Sequence, residues 1–293
     1  MRALNTFLGV FRRSGKVTAG VLIVAVIVLI GILHGQIVHL LGLHIGQNPL
    51  ELGAGARFQL PGRVYFLGTD NQGRDELSMI VTGLWTSLQI GIEAGVISTV
   101  IGVVVAFYAA YRGGFLDSVL STTTDLFLVI PSFPLLIAFS AFAKNTNVTE
   151  IALILAVFSW AFAARTIRSH VLSLRTRAYV DLARVSKEGT VEIIFAELMP
   201  NMLPYIALGL CYATIGAIFA LVGLEVIGLG PSGVIDLGFL INTALGSGAM
   251  TVGVWPMFVV PIVILGVLFF ALNMINLGLE EVFNPRLRKV LGG

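Results

Sequence analysis

Six stretches of this chain, residues 17–41, 86–111, 119–142, 149–168, 204–225 and 256–279, are long, apolar and nearly free of charge. A helix needs about 20 apolar residues to cross the hydrocarbon core of a bilayer. A chain in that core must also satisfy its backbone hydrogen bonds internally, which helices do. The sequence therefore predicts an all-α integral membrane protein with six transmembrane helices. Composition points the same way. Only 12% of residues are charged and 57% are apolar, against roughly a quarter charged in soluble domains, so no charged shell exists for water to wet.

Charge placement sets the expected orientation. Fourteen of the eighteen basic residues fall on one side of these spans. They are Arg2, Arg12, Arg13 and Lys16, then Arg112, then Arg165, Arg168, Arg175, Arg177, Arg184 and Lys187, and finally Arg286, Arg288 and Lys289. Arg57, Arg63, Arg74 and Lys144 fall on the other. Basic residues collect on the cytoplasmic side, so both termini are expected there, in a multi-pass protein of the cell (inner, cytoplasmic) membrane. The first apolar run is too long for a signal peptide and lacks its small-residue cleavage site. It is expected to remain as an anchor. The expected plan is an arm and anchor helix over 1–42, an external segment over 43–83, a helical core over 84–282 and a cytoplasmic tail over 283–293. The stretch DELSMIVTGLW can lie on the membrane as an amphipathic helix. Residues 226–255 hold seven glycines and no Lys or Arg; a structureless loop of that length is disfavoured, so a partly re-entrant segment packed on protein is expected.

The only long polar interruption in the C-terminal half is AYVDLARVSKEGTVEIIFAELMPNMLP, residues 178–204. It predicts two short amphipathic helices hinged at Gly189. Tyr179, Leu182 and Ser186 share one face of the first. Val191, Ile194, Phe195 and Leu198 recur at the spacing of a one-sided stripe in the second. Pro200 and Pro204 are expected to end it before the fifth span. A helix lying on lipid needs a cationic polar face, but Asp181, Glu188, Glu192 and Glu197 balance the basic residues here. A mixed-charge face with Tyr179, Ile194 and Phe195 as anchors suits a protein groove.

Residues that carry chemistry are sparse. SGKVT at Ser14–Thr18 lacks the glycine spacing and the Ser or Thr after Lys16 that a phosphate-cradling loop requires. His34, His39 and His44 are five residues apart and so point to different helix faces; with His170 and the lone Cys211 they make no metal or nucleophile group. No catalytic residue is expected. Glu93, Asp125 and Glu225 lie in or near spans, where ionisable groups raise functional suspicion; Glu225 is expected to reach headgroups. A stand-alone ion-coupled secondary transporter or channel is the alternative reading. It wants carboxylates paired near the midplane.

From Gly68 the chain reads GTDNQGRDELSMIVTGLWTSLQIG. This resembles the signature of the C-type permease subunit of dipeptide, oligopeptide and nickel ABC importers, the binding-protein-dependent type I permeases. Gly68, Thr69, Asp70, Gly73, Arg74, Asp75, Ser78, Gly83, Ser87, Leu88 and Gly91 match, while Met79 stands where Arg is usual. Asn284 to Arg288 is similar to that family's closing DPRLR, and Gly228 to Pro231 to its GLGPP turn. Asp125 and Pro131 fit its third-span pattern. The 178–204 stretch resembles its EAA docking loop, with Asp181 for Glu, Leu182 for the first Ala, Ala183 kept, Lys187 where Gly is usual, and Glu197 for Ile.

The resemblance implies an anchor helix plus a five-helix core. It implies ATPase docking through Tyr179, Asp181, Ala183, Arg184, Lys187, Gly189, Val191, Ile194, Phe195, Leu198 and Pro200. Implied partners are a second homologous permease, two ATPase subunits, an external substrate-binding protein and membrane lipid, with no nucleic acid. ATP and Mg would sit on the ATPases and no cofactor on this chain. Ser159, Asn242, Thr243 and Asn273 are candidate pathway residues. Peptides, oligosaccharides and nickel stay open as cargo; the absence of the tryptophan usual after the GLGPP turn favours a divergent, sugar-carrying branch.

Overall fold

The computed structural model describes residues 14–142, 147–186, 189–231 and 233–283. Arg2, Arg12, Arg13, Lys144, Lys187, Glu188 and the tail from Asn284 through Lys289 lie outside the described residues.

Helix α1 (Gly15–Ile32) starts where the Ser14 hydroxyl accepts the Val17 amide, and α2 (His34–Ile45) follows after Leu33. The first predicted span, 17–41, is therefore two helices. α3 (Glu76–Arg112) is 37 residues long and is capped by Asp75. It begins well before the expected residue 86. DELSMIVTGLW is thus its first turns, with Glu76, Ser78, Met79, Ile80, Val81 and Leu84 buried, and not a helix lying on the membrane. At 1.5 Å per residue α3 is about 55 Å long, which overshoots a hydrocarbon core of about 30 Å.

Gly113 and Gly114 both take positive φ and reverse the chain directly into α4 (Gly114–Val129). Ile130 is extended, as a residue before proline prefers. α5 (Ser132–Phe142) then leaves at 76°. The third span expected over 119–142 is therefore broken at Pro131. α6 (Val148–Leu174) opens on a capping box between Asn147 and Glu150. α7 (Ala178–Val185), α8 (Thr190–Val226), α9 (Leu237–Gly246), α10 (Ala249–Val252) and α11 (Pro256–Phe283) complete the described chain. α1, α3, α6, α8 and α11 are long and apolar enough to cross a membrane; the α4–α5 pair makes a sixth span if its bend is counted within one crossing.

α3 packs along both α6 and α8, and α11 packs on α1. Small residues permit these approaches, as is usual between helices in lipid. A Cβ at Gly102 would lie 2.8 Å from the Ala163 Cβ and 2.9 Å from the Ala164 nitrogen. Apolar side chains also cover the outside: Ile92, Val96, Val100 and Val104, four residues apart on α3, are exposed. Only a non-aqueous surround leaves such a row without penalty.

Gly102→Leu should wedge α3 off α6. Overpacking of this kind costs about 1–3 kcal/mol and should appear as a lowered melting temperature in mild detergent; an unchanged melt would remove this crossing from the fold's determinants.

Candidate functional site

The 178–198 turn has two faces of opposite character. Val180, Ala183, Ile193 and Leu198 are buried in a cluster with Phe107 and Ala110 of α3 and Ile167 and Val171 of α6; Tyr179 and Ile194 pack at its margin. On the other face Leu182 (68%), Val185 (79%), Val191 (67%) and Phe195 (60%) are exposed. Gly189 is extended and precedes α8 as its cap residue. Asp181 and Pro200 are exposed, and the backbone of Arg184 belongs to α7. Burial pushes the Tyr179 phenol up.

This differs from the expected stripes. Tyr179 turns inward while Leu182 and Ser186 face out. Val191 and Phe195 are exposed, and Leu198 is core. For the second stripe the cause is a π-helical turn over Ile193–Leu198, in which Met199 N–H donates to the Ile194 carbonyl. With i to i+5 bonding, Ile193 and Leu198 share the inner face. Nor do Pro200 and Pro204 end the element: α8 runs helically through both to Val226. The wide turn just before Pro200, with Asn201 Nδ2 donating to the Glu197 carbonyl at 2.7 Å, accommodates the proline's missing amide.

At the opposite end of α3 the Gly68–Ser78 signature forms a buckle. Asp70 Oδ1 accepts the Gln72 and Arg74 amides at 2.8 Å, and Arg74 Nε donates to Asp70 Oδ2 at 2.7 Å. Asp75 Oδ2 accepts the Ser78 amide at 2.8 Å and its hydroxyl at 2.6 Å. The Thr69 hydroxyl accepts the Gln59 amide at 2.9 Å. Thr69, Asp70, Asp75 and Ser78 are buried. Burial pushes the Asp75 carboxyl up while its bonds from Ser78 pull it back. Gly68 and Gly73 have φ of 87° and 80°, where a Cβ would also strike the Gln59 and Gly55 carbonyls at 2.2 and 2.3 Å. Gly83 meets the Asp236 backbone, and Ser87 Oγ accepts the Leu237 amide at 3.0 Å. The signature thus ties the 43–75 segment and the start of α9 to α3.

Glu225 does not reach outward. It is buried close to Asp236. Burial pushes the Asp236 carboxyl up, against the Phe239 and Gly238 amides it caps and its contact with Glu225. The sequence reading missed Asp236; an acid in a lysine-free glycine-rich loop was its only signal.

A cleft of about 380 Å³ lies between α4–α5, α6 and α8, lined among others by Phe127, Ser132, Ser159, Phe162 and Tyr212, with no charged side chain. Of the four expected pathway residues only Ser159 lines it. Asn242 Nδ2 donates to the Val226 carbonyl at 3.1 Å, Thr243 lies beside it on α9, and Asn273 Nδ2 donates to Phe269 on an exposed face of α11. Glu93 accepts from Gln89 Nε2 at 3.0 Å. His34 stacks on Trp85, and His44 bonds the Arg63 carbonyl.

Residues 98–289 match the family model described as "Binding-protein-dependent transport system inner membrane component". The chain is 31% identical over 246 residues to the oligopeptide transport system permease protein OppC of Mycobacterium tuberculosis, covering 83% of each protein. It is 29% identical over 223 residues to that of Lactococcus lactis subsp. cremoris, covering 76% of each.

Asp236 binds its proton more tightly in the folded chain. Its stabilising contribution is therefore fully present below the ordinary carboxylate range and is lost as pH rises through the raised folded value. Melting temperature should fall as pH rises above the ordinary carboxylate range, and Asp236→Asn, which keeps the capping oxygen without a titrating proton, should flatten that fall. Parallel curves would separate this carboxyl from the pH response.

Proposed function

The chain belongs to the binding-protein-dependent transport system inner membrane component family and is a permease of an ABC importer; from that premise we propose that its 178–198 turn is the docking element for an ATPase subunit. The observation that carries this reading is the exposed apolar group Leu182, Val185, Val191 and Phe195 on a turn whose reverse face is locked into the bundle. Such a patch calls for a protein partner, and the charged residues around it suit the rim of an interface. Arg112, Arg165, Arg168, Arg175 and Arg177 gather at this end, which supports a cytoplasmic orientation and cytoplasmic termini.

In this reading ATP and Mg bind the ATPase and not this chain. Two ATPases serve this permease and a second homologous one, and a substrate-binding protein meets the signature end. The two halves of the turn belong to different walls of the cleft: α7 follows α6, while Ile193–Leu198 is the start of α8. A displacement of the turn therefore alters the spacing of α6 and α8. The relatives' names favour oligopeptides as cargo. The uncharged cleft, with aromatic walls and the Ser132, Ser159 and Tyr212 hydroxyls, suits peptides of varied side chain better than a single charged solute.

Leu182→Asp and Phe195→Asp should leave the permease inserted and folded, because both side chains already face out. Each should abolish recovery of ATPase subunits with the tagged permease in mild detergent and stop ATP-driven uptake. Undiminished recovery and uptake would overturn the docking assignment.

A further inference from the structure

α4 is weakly packed for a wall of the cleft. Thr124 is its only buried residue, and Phe115 and Val129, near its two ends, are 83% and 81% exposed. Yet α4 and the bent α5 supply one cleft wall, so something other than buried area must fix α4 in place. Two contacts do so from opposite ends. Phe127 meets the Trp160 ring at a centroid distance of 5.2 Å. Arg168 of α6 forks onto Asp117, with Nε to Oδ1 and Nη2 to Oδ2 both at 2.7 Å; Ser121 Oγ also donates to Oδ1 at 3.2 Å. Between them lies the Arg165–Asp125 pair at 3.4 Å, but both side chains are mostly exposed and such pairs contribute little.

The spacing makes this a two-point attachment. Phe127 and Asp117 stand about 15 Å apart along α4, and Trp160 and Arg168 about 12 Å apart along α6, at 1.5 Å per residue. An aromatic contact alone leaves a pivot. The forked guanidinium adds direction, since both nitrogens must face both oxygens at once. Arg168 also lies less than two turns before the end of α6, where Arg175 Nη1 donates to the Ala110 carbonyl of α3 at 2.5 Å and the chain passes into α7.

We propose that Asp117 and Arg168 are positioning residues for transport: their clasp makes α4 and the α5 wall of the cleft follow α6 when the 178–198 turn is displaced. The proposal rests on the docking reading. With the clasp closed, α4, α5 and α6 move as one wall against α8. With it open, α6 swings about the Phe127–Trp160 contact and leaves α4 behind, so ATP is spent without the cleft changing shape.

The test is a charge exchange in the assembled importer, reading peptide taken up per ATP hydrolysed in proteoliposomes. Asp117→Arg and Arg168→Asp should each still assemble with the ATPases and hydrolyse ATP, while uptake per ATP falls about tenfold, the size expected for a lost coupling contact. Arg168→Lys, which keeps the charge but not the fork, should fall by less. The double exchange should restore the ratio to within about twofold; a merely structural contribution would lower both activities together and leave the ratio alone. An unchanged ratio in the single variants, or a double exchange no better than the worse single, overturns the proposal. If the reversals do not assemble, Asp117→Asn and Arg168→Lys are read in the same way, and an unchanged ratio has the same meaning. Failure of wild type to recruit an ATPase refutes the docking reading itself, before any variant is made, and takes the clasp's role with it.

Discussion

Force passes through a protein only where the segment receiving it is held on its far side. Here four small or aliphatic side chains, Val180, Ala183, Ile193 and Leu198, fill a pocket between the ends of α3 and α6. Dispersion contacts of this kind are individually weak and collectively stiff, and a close-packed region does not yield by sliding. The outward apolar residues of the same turn become useful only because of them. Were the inner face loose, a partner pressing on Leu182 or Phe195 would deform the turn and move nothing behind it.

The same economy governs the rest of the bundle. Without a hydrophobic force between helices in lipid, association depends on close backbone approach and on directional polar contacts. Gly102 against Ala163 and Ala164 supplies the first. The polar contacts are concentrated at the ends: Asp70, Arg74, Asp75 and Ser78 at one, Asp117, Arg168 and Arg175 at the other. α3, about 55 Å long, reaches both groups. It is the ruler against which the other elements are set.

Apolar run length made the spans legible, because the bilayer imposes one length on every crossing helix. It did not make their ends legible. Residues 76–85 read as an amphipathic helix that can lie on the membrane, yet they begin α3, since Asp75 and Ser78 satisfy one another and can be buried. Pro131 was visible as a mark, but a 76° change of direction depends on what α5 packs against. Pro200 and Pro204 read as breakers under the α-helical rule; the π turn relaxes that rule at Pro200, and the helix runs on through Pro204. Val191, Ile194, Phe195 and Leu198 form one stripe only under a period of 3.6; the π turn splits them, with Val191 and Phe195 outward and Leu198 in the core. Glu225 and Asp236 are eleven positions apart, and only the fold of the intervening loop joins them. The Gly68–Ser78 signature was plain as a motif, but that its residues bond mainly to one another is a tertiary fact.

The π turn also fixes a compass bearing. Each residue of an α-helix advances the side chains by about 100° around the axis, so one residue more or less between Ile193 and Leu198 would rotate everything upstream by that angle relative to the membrane-spanning part of α8. Phe195 and Val191 would then face a different neighbour with no change in their chemistry. In this stretch the count of residues matters as well as their identity: an insertion or deletion of a single residue would turn the same patch away from where it now points.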